Sequence, residues 1–79
     1  MSSVHPNLPF DDDTMVLLSR AYLESWYELE AANSPAASLA NRNATRRELA
    51  NRIIELAATG ERNVARLRVF ALRGISGSH

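Results

Sequence analysis

Two histidines, His5 and His79, are the only imidazoles in this 79-residue chain, and both stand close to a terminus. A general base has to be held rigidly against the proton it removes, which such positions do not provide. Glu24, Glu28, Glu48 and Glu55 raise the chemistry of a carboxylate-bridged metal pair inside a helical bundle. That chemistry needs Glu-x-x-His on inward faces, and the chain has no such motif. Their plainer reading is solvated helix charge. Ser19, Ser25 and Ser34 lack an adjacent His to activate a hydroxyl, and Gly60 stands alone rather than in a phosphate-cradling loop. With no Cys, disulfides, thiolate zinc sites and cysteine nucleophiles drop out. The expectation is a protein without catalytic activity, cofactor or metal.

Charge is the more informative chemistry. All nine basic residues are Arg, a side chain suited to bidentate anion recognition, with GC-rich codon usage as the plainer explanation. The net charge of zero hides an arrangement. Residues 1–33 hold Asp11, Asp12, Asp13, Glu24, Glu28 and Glu30 against Arg20 alone, a local charge of −5. Residues 34–79 hold eight Arg against Glu48, Glu55 and Glu61, a local charge of +5.

The elements that must carry these residues are helices. Three Gly and three Pro, with little β-branched content, argue against collagen-like, all-β and low-complexity chains. No apolar run approaches the roughly 20 residues of a membrane span, so a soluble protein is expected. Residues 1–10 carry Pro6 and Pro9 and lack the pattern of a signal peptide, and they are expected to form a flexible tail. Asp11 can cap a first helix over about Asp12 to Ala32, with Asp12 and Asp13 facing its positive end and Phe10 stapling onto Met15. A step of about 100° per residue groups Met15, Leu18, Tyr22, Trp26 and Leu29, beside a second stripe of Val16, Leu23 and Tyr27, with Arg20, Glu24 and Glu28 opposite. An apolar arc that wide needs two partners, which makes the first helix the expected centre of the fold.

Asn33-Ser34-Pro35 reads as a stop and a restart, with Ser34 as N-cap and Pro35 at the first helical position. A second long helix is expected from about Pro35 to Thr59, with a break near Asn41 to Ala44. Thr45-Arg46-Arg47-Glu48 also fits a capping box from which a helix could start afresh. Leu49, Ala50, Ile53, Ile54, Leu56 and Ala57 form its inner face, and Arg42 and Arg46 continue that face into a region that must be wet or face acids. Gly60 supplies a stop, Asn63 a cap, and a short third helix spans about Val64 to Arg73 before Gly74. Its apolar residues surround most of its circumference, so it must be gripped from more than one side. Residues 75–79 are expected to be a flexible Ser/Gly tail. The fold class is thus a small all-α, three-helix domain over residues 11–74, built on an antiparallel hairpin and completed by dimerisation.

Arg47-Glu48-Leu49-Ala50-Asn51-Arg52-Ile53-Ile54-Glu55-Leu56-Ala57, then Gly60-Glu61-Arg62-Asn63 and Leu67, with the stretch from Thr14 to Trp26, resembles short alphaproteobacterial proteins of uncharacterised function. The resemblance covers about residues 11–73 and implies an all-helical fold in a bacterial, cytoplasmic setting. It departs from the pattern at Asn63-Val64, where an Asp-Pro pair is usual. It brings no activity and no catalytic residue.

Two functions follow. The first is a protein-interaction module, acting as a homodimer or docking on another protein, with Tyr22, Trp26, Tyr27, Arg42, Arg46 and Phe70 as candidate interface contacts. The alternative is a DNA-binding domain in which the second and third helices imitate a helix-turn-helix and Arg62, Arg66, Arg68 and Arg73 contact nucleic acid. Against that alternative stand the acid in its turn, Glu61, and a pI of about 6.7.

Overall fold

The computed structural model describes residues 10–76, so the expected N-terminal tail, apart from Phe10, and residues 77–79 lie outside the described residues. Three α-helices follow one another: α1 (Asp12–Ala31), α2 (Arg42–Ala57) and α3 (Val64–Ser76), with a 3₁₀ turn at Pro35–Ala37 between the first two. There is no strand among the described residues.

Helix α1 begins as its sequence dictates. The Asp11 carboxylate accepts from the Thr14 backbone N–H at 2.8 Å, satisfying one of the amides that a helix start leaves without a partner. Phe10 packs against the core and lies under the Arg62 guanidinium, 5.5 Å from the ring centre. At the far end the Ser34 N–H bonds to the Leu29 carbonyl and the Asn33 N–H to that of Glu30, both at 3.0 Å. Asn33 sits at φ 56°, which makes this a Schellman ending with Asn in the place Gly usually takes.

The second helix is not continuous from Pro35. Ser34 caps the short turn through Ala36 N–H, but Ser38 is extended (φ −66°, ψ 160°), so the chain leaves helical geometry there. The interruption falls at Ser38–Asn41, ahead of the expected Asn41–Ala44. The physical reason is visible at Leu39, the one large apolar residue of the stretch, which is 82% exposed and rewards no continued helix. Helix α2 then starts at Arg42 without a side-chain cap. The Asn41 amide instead donates to the Pro35 carbonyl, tying the turn together. Thr45 is buried in the first turn of α2 and the capping box is not used as a helix start.

Gly60 ends the α2 region at φ 109°, and Asn63 caps α3 by accepting from the Arg66 N–H at 3.0 Å. The third helix corrects the sequence reading: it passes through Gly74 to Ser76, and Ile75, expected in a tail, is buried. Gly74 lies under the Arg52 side chain, where any Cβ would collide with the guanidinium. Arg52 in turn covers the Phe70 ring at 4.5 Å and donates to the Phe70 carbonyl.

The core is formed by Leu18, Trp26 and Leu29 of α1, Leu49 and Ile53 of α2, and Leu67 and Ile75 of α3. Small residues, Ala21, Ser25, Ala57 and Ala71, are almost wholly buried among them and let the helix backbones approach. Ser25 keeps its hydroxyl satisfied inside the core by donating to the Ala21 carbonyl at 2.7 Å. Helix α3 packs on both other helices, more extensively than these pack on each other, so α3 rather than α1 is the central element. The grip on α3 from two sides is as its apolar circumference requires.

Candidate functional site

Helices α1 and α2 run antiparallel. Trp26, late in α1, meets Arg42 and Arg46 at the start of α2, while Met15, early in α1, shares a groove with Ile54 near the end of α2. Because α3 sits on the other side of the pair, no third helix among the described residues covers the outward flank of this hairpin.

That flank holds an open, almost wholly apolar groove of about 510 Å³. Met15, Tyr22 and Leu23 line it from α1, Ala50 and Ile54 from α2, and Arg46 and Arg47 stand on its basic edge. The periodicity of α1 supplies a second feature beside it. Val16, Leu23 and Tyr27 recur at i, i+7 and i+11, which sets them along one outer edge. They are 65%, 45% and 60% exposed, so the second apolar stripe of α1 faces away from the other described helices. Ile54, expected on the inner face of α2, is also 47% exposed.

The candidate contacts divide between surface and interior. Tyr22 is half-buried in the groove wall and Tyr27 lies on the exposed edge. Trp26 is a correction: at 3% exposed it belongs to the core, roofed by Arg46 at 4.7 Å and Arg42 at 5.9 Å from its ring centre. This answers how those two arginines extend an inner face: each lays a cation over the electron-rich ring rather than entering a dry core. The Arg42 Nε is enclosed and makes no hydrogen bond. Phe70 is half-buried beneath Arg52 and is covered within the chain.

The acidic and basic halves meet within one chain, through α3. Glu24 and Glu28 bind Arg68 of α3, at 3.0 and 3.8 Å, and not the arginines at the start of α2. Glu24 also pairs with Arg20 at 3.4 Å. The angular position of these glutamates, opposite the first apolar arc, is thus the flank on which α3 lies. Arg46 and Arg47 have no carboxylate within ion-pair distance among the described residues.

The four arginines of the nucleic-acid alternative do not form one free basic surface. Arg62 donates to the Ala57 and Glu61 carbonyls at 2.7 and 2.8 Å, closing the end of α2. Arg68 is engaged by Glu24 and Glu28, and Arg66 pairs with Glu61 at 3.7 Å. Arg73 is exposed near the end of α3.

One carboxyl group is perturbed. Hydrogen bonds from the Thr14 hydroxyl and backbone N–H, aided by the nearby Arg62 charge, hold the Asp11 carboxyl below its ordinary value. Among the described residues no three His, Cys, Asp or Glu side chains gather to hold a metal ion, and no helix is long and apolar enough to cross a membrane. The chain matches no protein-family model, no curated protein and no solved structure compared with it.

Proposed function

We propose that this chain is a non-catalytic protein-interaction module whose working surface is the outward α1–α2 face. The observation that carries the reading is the apolar groove of Met15, Tyr22, Leu23, Ala50 and Ile54, continuous with the exposed edge of Val16 and Tyr27. Scattered apolar residues are normal on a protein surface, whereas a contiguous patch rimmed by polar groups marks a binding surface. Arg46 and Arg47 suit the edge of such a surface, since Arg is enriched at interfaces and loses little when its planar head is fixed. The DNA-binding alternative has less support, because Arg62, Arg66 and Arg68 already serve contacts inside the chain. The bacterial, cytoplasmic setting rests on the sequence resemblance alone.

Site-specific photocrosslinking in cells tests this reading. A photoreactive residue at Ile54 is expected to trap a protein, whereas one at Ala65, exposed on α3, is not. Equal and negligible trapping at both positions would refute the module.

A further inference from the structure

Resting on that reading, we propose that the occupant of the α1–α2 face is a second copy of this chain, related by a two-fold axis perpendicular to the helices. The face carries a continuous apolar surface. Its groove is lined by Met15, Tyr22, Leu23, Ala50 and Ile54, and the adjoining edge of Val16, Leu23 and Tyr27 is an exposed ridge at helical spacing. A two-fold axis lying in this face and perpendicular to the helices lays α1 on α1 and α2 on α2, so the same apolar residues of the two copies meet, which is what an isologous interface requires.

Charge sets the direction. Asp12 and Asp13 are exposed at the start of α1, and Arg46 and Arg47 are exposed near the start of α2. Because the two helices are antiparallel, these pairs lie at opposite ends of the face, and none of the four has an ion-pair partner among the described residues. A perpendicular two-fold turns the acidic end of one copy onto the arginine end of the other. A parallel arrangement would leave both sets unpaired. An acidic helix from another protein would satisfy the arginines but leave Asp12, Asp13 and the ridge without partners. Helix α1 of 20 residues and α2 of 16 residues are about 30 and 24 Å long and about 10 Å wide, so side by side they present a flat outline of roughly 540 Å², of the order that a standard interface buries on each partner, about 800 Å².

Analytical ultracentrifugation of the purified full chain over roughly a hundredfold dilution is expected to show a reversible monomer–dimer equilibrium. Leu23→Asp and Ile54→Asp should each weaken the dimer by about thirtyfold or more, while the dilute protein stays helical and unfolds cooperatively. Arg47→Glu and Asp12→Arg should each weaken it several-fold, and the doubly substituted chain should recover dimerisation. A monomer at every concentration, a dimer indifferent to Leu23→Asp and Ile54→Asp, or no recovery in the charge swap would each overturn the proposal. The two readings fail separately: a monomeric chain that still crosslinks a different protein through position 54 removes the second copy and keeps the interaction face.

Discussion

Removing the Trp26 side chain probes the core most directly. At 3% exposed it is the largest side chain in the cluster of α1, α2 and α3, and two guanidinium groups rest on it. Truncating a buried aromatic to Ala costs about 3 to 5 kcal/mol, because the lost burial is compounded by the cavity left behind. Each stacked cation adds about 0.5 to 1 kcal/mol where it is partly exposed. A 79-residue chain has a total stability of about 4 to 12 kcal/mol. Trp26→Ala should therefore remove from a quarter of the stability to all of it and lower the melting temperature by at least about 12 °C. Trp26→Phe keeps a ring beneath Arg46 and should cost only about 1 to 2 kcal/mol. Far-ultraviolet circular dichroism during thermal and urea unfolding measures both, in dilute solution so that self-association does not contribute. As the one Trp in the chain, Trp26 also reports unfolding of the parent by its own fluorescence. Loss of less than about 1 kcal/mol in Trp26→Ala would mean that the ring is not packed between the helices, and the core assignment would fall.

Three further outcomes follow from individual contacts. A double-mutant cycle on Glu24 and Arg68, about a third exposed and 3.0 Å apart, should give a coupling of about 0.5 to 1 kcal/mol that shrinks in molar salt; a salt-insensitive coupling near zero refutes the cross-helix pair. Gly74→Ala should gain about 1 kcal/mol of helix propensity only when Arg52 is also replaced by Ala, because the new Cβ evicts the Arg52 guanidinium from its place over Phe70; equal stabilisation in both backgrounds contradicts that packing. The Asp11 carboxyl is held below its ordinary 3.8, so its contribution to stability is present above that value and is lost as pH falls through the lower folded-state value. Asp11→Ala should accordingly lower the melting temperature at pH 7 and converge with the parent in strong acid, and a difference independent of pH would exclude the capping role.

Local chemistry made most of the helix boundaries readable before any packing was known. Asp11 as a cap, Ser34 before Pro35, Gly60 as a stop and Asn63 as a cap act over three or four residues, and the structure uses all of them. Apolar spacing likewise identified Leu18, Leu29, Leu49 and Ile53 as core. Periodicity alone could not rank the two apolar stripes of α1. Val16, Leu23 and Tyr27 are as greasy as their neighbours, and only the place of α3 on the opposite flank leaves them facing outward. The same placement chose Arg68 as the partner of Glu24 and Glu28.

What the sequence by itself determined is therefore short-range: that the chain is helical, where α1 and α3 begin, and which residue types must be hidden. Tertiary structure decided what depends on contacts between residues distant along the chain. It carried α3 through Gly74, because burial of Ile75 and the seat of Arg52 outweigh the weak helix propensity of a glycine. It drew Trp26 inside under two arginines and, among the described residues, left the α1–α2 flank uncovered, because three helices have too few faces to cover every apolar stripe they carry.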